Sequence, residues 1–243
     1  MPLKSLDPFA SQLSKLDLKI NPYVTLMVTG IEEGTLPVAC GGMLKDFPGN
    51  WREKIANFYQ RPTPFKKLVV EIGCHNGQVL CQMASEHPDT AFLGIDITYK
   101  RVVGTAEKSR KLGLKNVFTV LANAKAIDLI FAPSEIDGVI IFFPDPWIKK
   151  KRQAKNRLVD VSFCKKLKEL LNTDAFCWFK TDQKVYFDLA QHAFSENAFR
   201  VQNHNCDITG REYTSIFEHK FTEQNLPTYV SKWLKSPQES AVH

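Results

Sequence analysis

Residues 68–80 read LVVEIGCHNGQVL. Leu68 to Ile72 form a short run rich in β-branched residues that stops at Gly73, the pattern of a buried strand. Val79, Leu80, Met83 and Ala84 then recur at helical spacing through QVLCQMASEH, residues 78–87. The stretch is therefore strand, turn, helix. Gly73 and Gly77 bound the turn; glycine there lets the chain reverse tightly and lets a ligand approach the backbone. The spacing is G-x-x-x-G. It is not the G-x-G-x-x-G of a dinucleotide site, which disfavours a nicotinamide-dependent enzyme.

The same alternation continues outward. Strands are predicted at 90–97 (TAFLGIDI), 116–123 (NVFTVLAN), 136–143 (IDGVIIFF) and 174–182 (DAFCWFKTD). Helices are predicted at 100–112, 158–172 and 185–194. FRVQNHNC (199–206) and IFEHKFT (216–222) are expected to close the sheet as an antiparallel pair. Near-continuous apolar strands separated by helices define an α/β, doubly wound, Rossmann-like sheet, mostly parallel, with helices on both faces. Ligands of such sheets bind beyond the carboxyl ends of the strands. Glu71 to Gly77, Asp96, Asn123, Asp145 and Thr181-Asp182 are thus expected to converge. Residues 1–65, proline-rich with a short helix around Trp51 to Tyr59, are expected to form an extension packed on a main domain of residues 66–235. Residues 236–243 are expected to be a frayed tail.

Composition narrows the function. The 243 residues are 44% hydrophobic, enough for a large core, yet no apolar run approaches the roughly 18 residues of a membrane helix. The start of the chain lacks a secretory pattern. Six scattered cysteines (40, 74, 81, 164, 177 and 206) form no CxxC pair, so neither a metal site nor a disulfide framework is expected, and reduced thiols in a cytoplasm are. The net charge is +6, and Lys149, Lys150, Lys151, Arg152, Lys155 and Arg157 account for all of it, with no acid between residues 148 and 157. A positive patch this local implies a polyanionic partner, nucleic acid first.

Asp96 lies 19 residues after Gly77, at the end of the second predicted strand. A carboxylate in that place accepts hydrogen bonds from ribose hydroxyls. An adenosine-containing cofactor without a pyrophosphate fits this loop better than a dinucleotide. S-adenosylmethionine is such a molecule, its ribose on Asp96, its adenine near Asn123 and Ala124, its methionine end at the loop from Gly73 to Gly77. The loop, Glu71-Ile72-Gly73-Cys74-His75-Asn76-Gly77, resembles the E/D-x-G-x-G-x-G loop of class I methyltransferases. It departs from that pattern once, with His75 at the middle glycine, where the side chain adds bulk.

The segment FFPDPWIKKKRQAKNR, residues 142–157, resembles the signature of the tRNA (guanine-N7-)-methyltransferases in Phe143, Pro144, Asp145, Pro146, Trp147, Lys149, Lys150, Lys155 and Arg157. Glu71-Ile72-Gly73, Gly94-Ile95-Asp96, Asn123-Ala124 and Thr181-Asp182 match the same family. Ser215-Ile216-Phe217-Glu218 stands where the family has T-x-[FY]-E, with Thr214 one residue early; either hydroxyl is a candidate for the expected role. The resemblance spans about Val69 to Phe221.

The resemblance implies methylation of guanine N7 in tRNA, in the variable loop. N7 is an exposed acceptor on the base edge and needs no deprotonation, so positioning carries most of the catalysis. Asp145, held between two prolines, is the expected catalytic carboxylate, stabilising the cationic purine or accepting from N1–H and N2–H. Trp147 either stacks on the base or packs the loop. Lys149, Lys150, Arg152, Lys155 and Arg157 are expected on RNA phosphates. Thr181, Asp182, Thr214 or Ser215, and Glu218 are expected to complete the guanine pocket. Two other readings stay open here: a relative that binds tRNA without turnover because of His75, and a methyltransferase acting on another RNA or a small acceptor.

Overall fold

A computed structural model describes residues 21–148, 151–205 and 213–235. The expected tail at 236–243 lies outside the described residues.

The core of the fold is the central run of parallel strands. β1 (Val38–Cys40), β2 (Lys67–Ile72), β3 (Thr90–Asp96), β4 (Val117–Leu121), β5 (Ile136–Phe142), β6 (Leu171–Thr181), β7 (Phe199–Asn205) and β8 (Tyr229–Lys235) form one sheet in the order β1-β4-β3-β2-β5-β6-β8-β7. β1 to β6 pair in parallel; β8 is antiparallel to both β6 and β7. The strand order reverses between β2 and β5, the place where an open α/β sheet leaves a crevice.

Seven α-helices are described: α1 (Pro22–Glu32), α2 (Trp51–Phe58), α3 (Gln78–Glu86), α4 (Tyr99–Lys111), α5 (Val161–Leu170), α6 (Lys184–Glu196) and α7 (Ile216–Glu223). Strand side chains alternate between faces. Leu68, Val70 and Ile72 join the cluster containing Trp51, Phe163, Leu167, Tyr186 and Phe194. Val69, from the same strand, joins Val79, Leu80 and Met83 of α3. Both faces are apolar because both are covered.

Residues 21–65 share this core. β1 is hydrogen bonded to β4 at the sheet edge, and Trp51 and Ile55 are fully buried. The buried Glu135 carboxylate accepts from the amides of Gly49 (2.8 Å), Trp51 (3.0 Å) and Ala132 (2.9 Å), satisfying donors at the start of α2. Arg52 pairs with Asp137 at 2.7 Å.

One expected strand is a helix. IFEHKFT lies in α7, and the strand that pairs with β7 is β8 instead. Ser215 caps the helix, its Oγ accepting from the Glu218 amide at 3.2 Å. The residue α7 buries is Glu218, so an apolar-period reading could not find its inner face.

Candidate active site

The loops after β2, β3, β4 and β5 end at one cleft of about 600 Å³. Gly73, His75, Asp96, Asn123, Ala124, Asp145 and Trp147 all line it. Of the residues expected to converge from strand ends, the sheet brings Gly73, His75, Asp96, Asn123 and Asp145 to this cleft, whereas Glu71, Gly77, Thr181 and Asp182 do not line it.

The turn after β2 is built on left-handed backbone. Gly73 has φ +79°, and a Cβ built there meets no atom within 4 Å, so its backbone faces open space. Gly77 has φ +66°, and a Cβ there would lie 2.5 Å from Thr105 Cγ2, so any larger residue is refused by packing with α4. His75, between them, has φ +48°, a conformation uncommon for a non-glycine residue. Its ring stands against Phe217 of α7. Burial, and then the nearby Arg101, lower its pKa, so the neutral imidazole is favoured.

Two carboxylates approach the turn. Asp96 accepts from the Thr98 amide at 2.9 Å and also from the His75 amide; burial nonetheless pushes its pKa up. Glu71 is fully enclosed; burial pushes it up to about 8, against the opposing hydrogen bond from the Leu80 amide. Its Oε2 is buried with no hydrogen-bond partner among the described residues.

After β5 the chain bends at Phe143 (φ +52°) and Trp147 (φ +44°), on either side of Pro144-Asp145-Pro146. The Phe143 amide donates to the Lys180 carbonyl at 2.8 Å, and Arg157 Nε donates to the Pro146 carbonyl at 3.2 Å. The loop is thus pinned at both ends, with Asp145 exposed at its tip. Arg157, expected on phosphate, spends at least one donor inside the protein. Lys125 Nζ donates to the Lys155 carbonyl, holding the 3₁₀ turn Lys151–Asn156 beside the cleft. Arg152 and Lys155 are exposed; Lys149 and Lys150 lie outside the described residues.

The residues expected to complete the base pocket are placed differently. Thr181 is fully buried, and its Oγ1 accepts from the Gln183 amide at 3.2 Å. Asp182 accepts from Gln183 Nε2. The Thr214 carbonyl accepts from Gln78 Nε2 at 3.1 Å, and Ser215 caps α7. Glu218 is fully buried in an ion pair with Lys180, 3.0 Å from Nζ to Oε2. None of these five lines the 600 Å³ cleft.

The sequence reading did not single out Arg101, Lys125 or Lys180, and it gave Phe217 no role beyond its place in the Ser215–Glu218 motif. Two carried a signal. Arg101 is a cation in the first turn of α4, against the helix dipole. Lys180 interrupts the apolar strand AFCWFKT. Among the described residues no cluster of His, Cys, Asp or Glu suits a metal ion, and no helix is long and apolar enough to cross a membrane.

The Gly73 backbone beside open space, the orphaned Glu71 Oε2 and the Asp96 carboxylate fit a cofactor with a ribose and a polar amino-acid end. The fold itself resembles that of an antibiotic-related methyltransferase (TM-score 0.57, 18% identity, covering 74% of this chain and 92% of that one). It also resembles the 16S rRNA methyltransferase KamB (TM-score 0.55, 11% identity, covering 71% and 89%). Sheet order, cleft and these likenesses define the class I methyltransferase fold. A family model described as "Putative methyltransferase" matches residues 65–230. The chain is 33% identical over 197 residues to the tRNA (guanine-N(7)-)-methyltransferase of Geobacillus thermodenitrificans, covering 79% of this chain and 87% of that one. It is 31% identical over 187 residues to that of Bdellovibrio bacteriovorus, covering 73% and 85%. The chain belongs to the tRNA (guanine-N7-)-methyltransferase family.

Proposed function

We propose that this protein methylates N7 of a guanine in tRNA, in the variable loop, with S-adenosylmethionine as donor. The observation that carries the reading is that Asp145 shares one cleft with Asp96 and Gly73. When bound, the donor supplies an electrophilic methyl group. Asp96 accepts from its ribose hydroxyls, Asn123 and Ala124 flank the adenine, and the turn from Glu71 to Gly77 takes the methionine end. Asp145 meets the guanine, as acceptor for N1–H and N2–H or as counter-charge to the purine that becomes cationic. Trp147 lines the same cleft and is half-buried, which suits a stacking surface. No residue need remove a proton before transfer, because N7 carries its lone pair already. Lys149, Lys150, Arg152 and Lys155 hold RNA phosphates. Residues 66–235 act as the methyltransferase unit, residues 21–65 sharing its core, in a cytoplasm that keeps the cysteine thiols reduced.

His75 supports a second reading, a tRNA-binding relative without turnover, because it lines the cleft at the position where the class I methyltransferase loop has its middle glycine. Incubation with unmodified tRNA and labelled S-adenosylmethionine, followed by nucleoside mapping, separates the two. Label in 7-methylguanosine supports the first. Tight tRNA binding without donor binding by calorimetry supports the second.

A further inference from the structure

The Lys180–Glu218 pair is fully buried on both sides, a costly arrangement unless geometry and hydrogen bonds compensate. They do. Lys180 Nζ reaches both Glu218 carboxylate oxygens, at 3.0 and 3.3 Å, and the Tyr213 carbonyl at 2.6 Å. It also lies 4.5 Å from the Phe142 ring centroid and 5.3 Å from that of Trp178. Lys180 belongs to β6; Tyr213 and Glu218 belong to α7 and its approach. The pair therefore ties α7 to the sheet.

What α7 does from there is also visible. Phe217 lines the cleft and meets His75 of the turn after β2 edge-on. Phe221 packs on Phe143 of the loop after β5, at 5.4 Å between ring centroids. Gln78, at the start of α3, donates to the Thr214 carbonyl at 3.1 Å. One short helix thus spans the loops that form two walls of the cleft, and eight residues alone would not hold a helix in water.

We infer that Lys180 and Glu218 are positioning residues: their buried pair fixes α7 across the cofactor turn and the Asp145 loop, and so sets the shape of the donor side of the cleft. This rests on the methyltransferase reading only for the identity of the donor.

The test uses the full chain carrying Lys180→Met with Glu218→Leu, which replaces the pair by apolar groups and leaves no unpaired charge. The expected melting temperature is within about 4 °C of the parent. Amide exchange across residues 216–223 is expected to quicken about tenfold while β2 and β3 keep their protection. Phe217 is a wall rather than a reacting group, so the KM for S-adenosylmethionine rises about tenfold with kcat held within about twofold. If the double variant does not fold, Glu218→Gln, which keeps the shape and removes the charge, decides by the same exchange measurement. Unchanged protection of residues 216–223 in the folded variant overturns the inference, as does a loss of protection spread evenly over the sheet. If α7 loosens as expected but the parent binds no S-adenosylmethionine, the positioning role stands and the functional reading falls.

Discussion

The His75 imidazole meets the Phe217 ring edge-on, with centroids 5.0 Å apart and planes at 69°. His75 makes this contact from a backbone at φ +48°. Replacing it by glycine relieves strain of about 1 kcal/mol and forfeits an aromatic contact of about the same size. His75→Gly is thus expected to leave unfolding free energy within about 1 kcal/mol of the parent. His75→Val loses the contact and keeps the strain, costing a further 1–2 kcal/mol or so. Urea unfolding of the two variants measures both terms.

Glu71 gives the fold a pH dependence of definite sign. Its native pKa, about 8, is above the unfolded value of 4.5, so between those limits the native state binds more protons than the unfolded chain. Stability from this group is present at low pH and is lost as pH rises toward 8, with a slope of at most about 1.4 kcal/mol per pH unit. Asp96 is shifted the same way. His75 is shifted down, which opposes the trend only below its ordinary pKa. Unfolding measured as pH rises from 4.5 to about 8 is therefore expected to show falling stability that Glu71→Gln flattens.

Glu135 precedes β5, whereas the cleft lies at the other end of that strand, about 20 Å away at the rise of an extended chain. Glu135→Ala orphans amides of Gly49, Trp51 and Ala132 and is expected to cost about 2–4 kcal/mol. Donor affinity of the folded variant, by calorimetry, is expected to match the parent.

Arg152 and Lys155 are exposed, and Lys155 lines the cleft. Arg152→Ala with Lys155→Ala is expected to weaken tRNA binding and to reduce the slope of log affinity against log salt by about 2, one for each phosphate contact. Filter binding over a salt series reads this directly.

The strands β2 to β6 could be read from their apolar runs because both faces of a covered parallel sheet are apolar. The convergence of Gly73, Asp96, Asn123 and Asp145 followed from that sheet alone. β1 has three residues and no pattern to read. α7 was hidden for a chemical reason: its core-facing residue is an acid whose partner, Lys180, comes 38 positions earlier on another element. The same pairing draws Glu218 into the core. Sequence spacing carries periodicity well; it carries no sign of a charge neutralised by a distant partner.

The central claim is that the Asp145 carboxylate, in the cleft it shares with Asp96, acts on guanine. The most direct measurement is single-turnover methyl transfer to unmodified tRNA by the parent and by Asp145→Ala, with donor and tRNA affinities measured alongside. The account predicts 7-methylguanosine from the parent and a rate about 10²-fold lower or less from the variant, with both ligands still bound. Equal rates from the two proteins would contradict it.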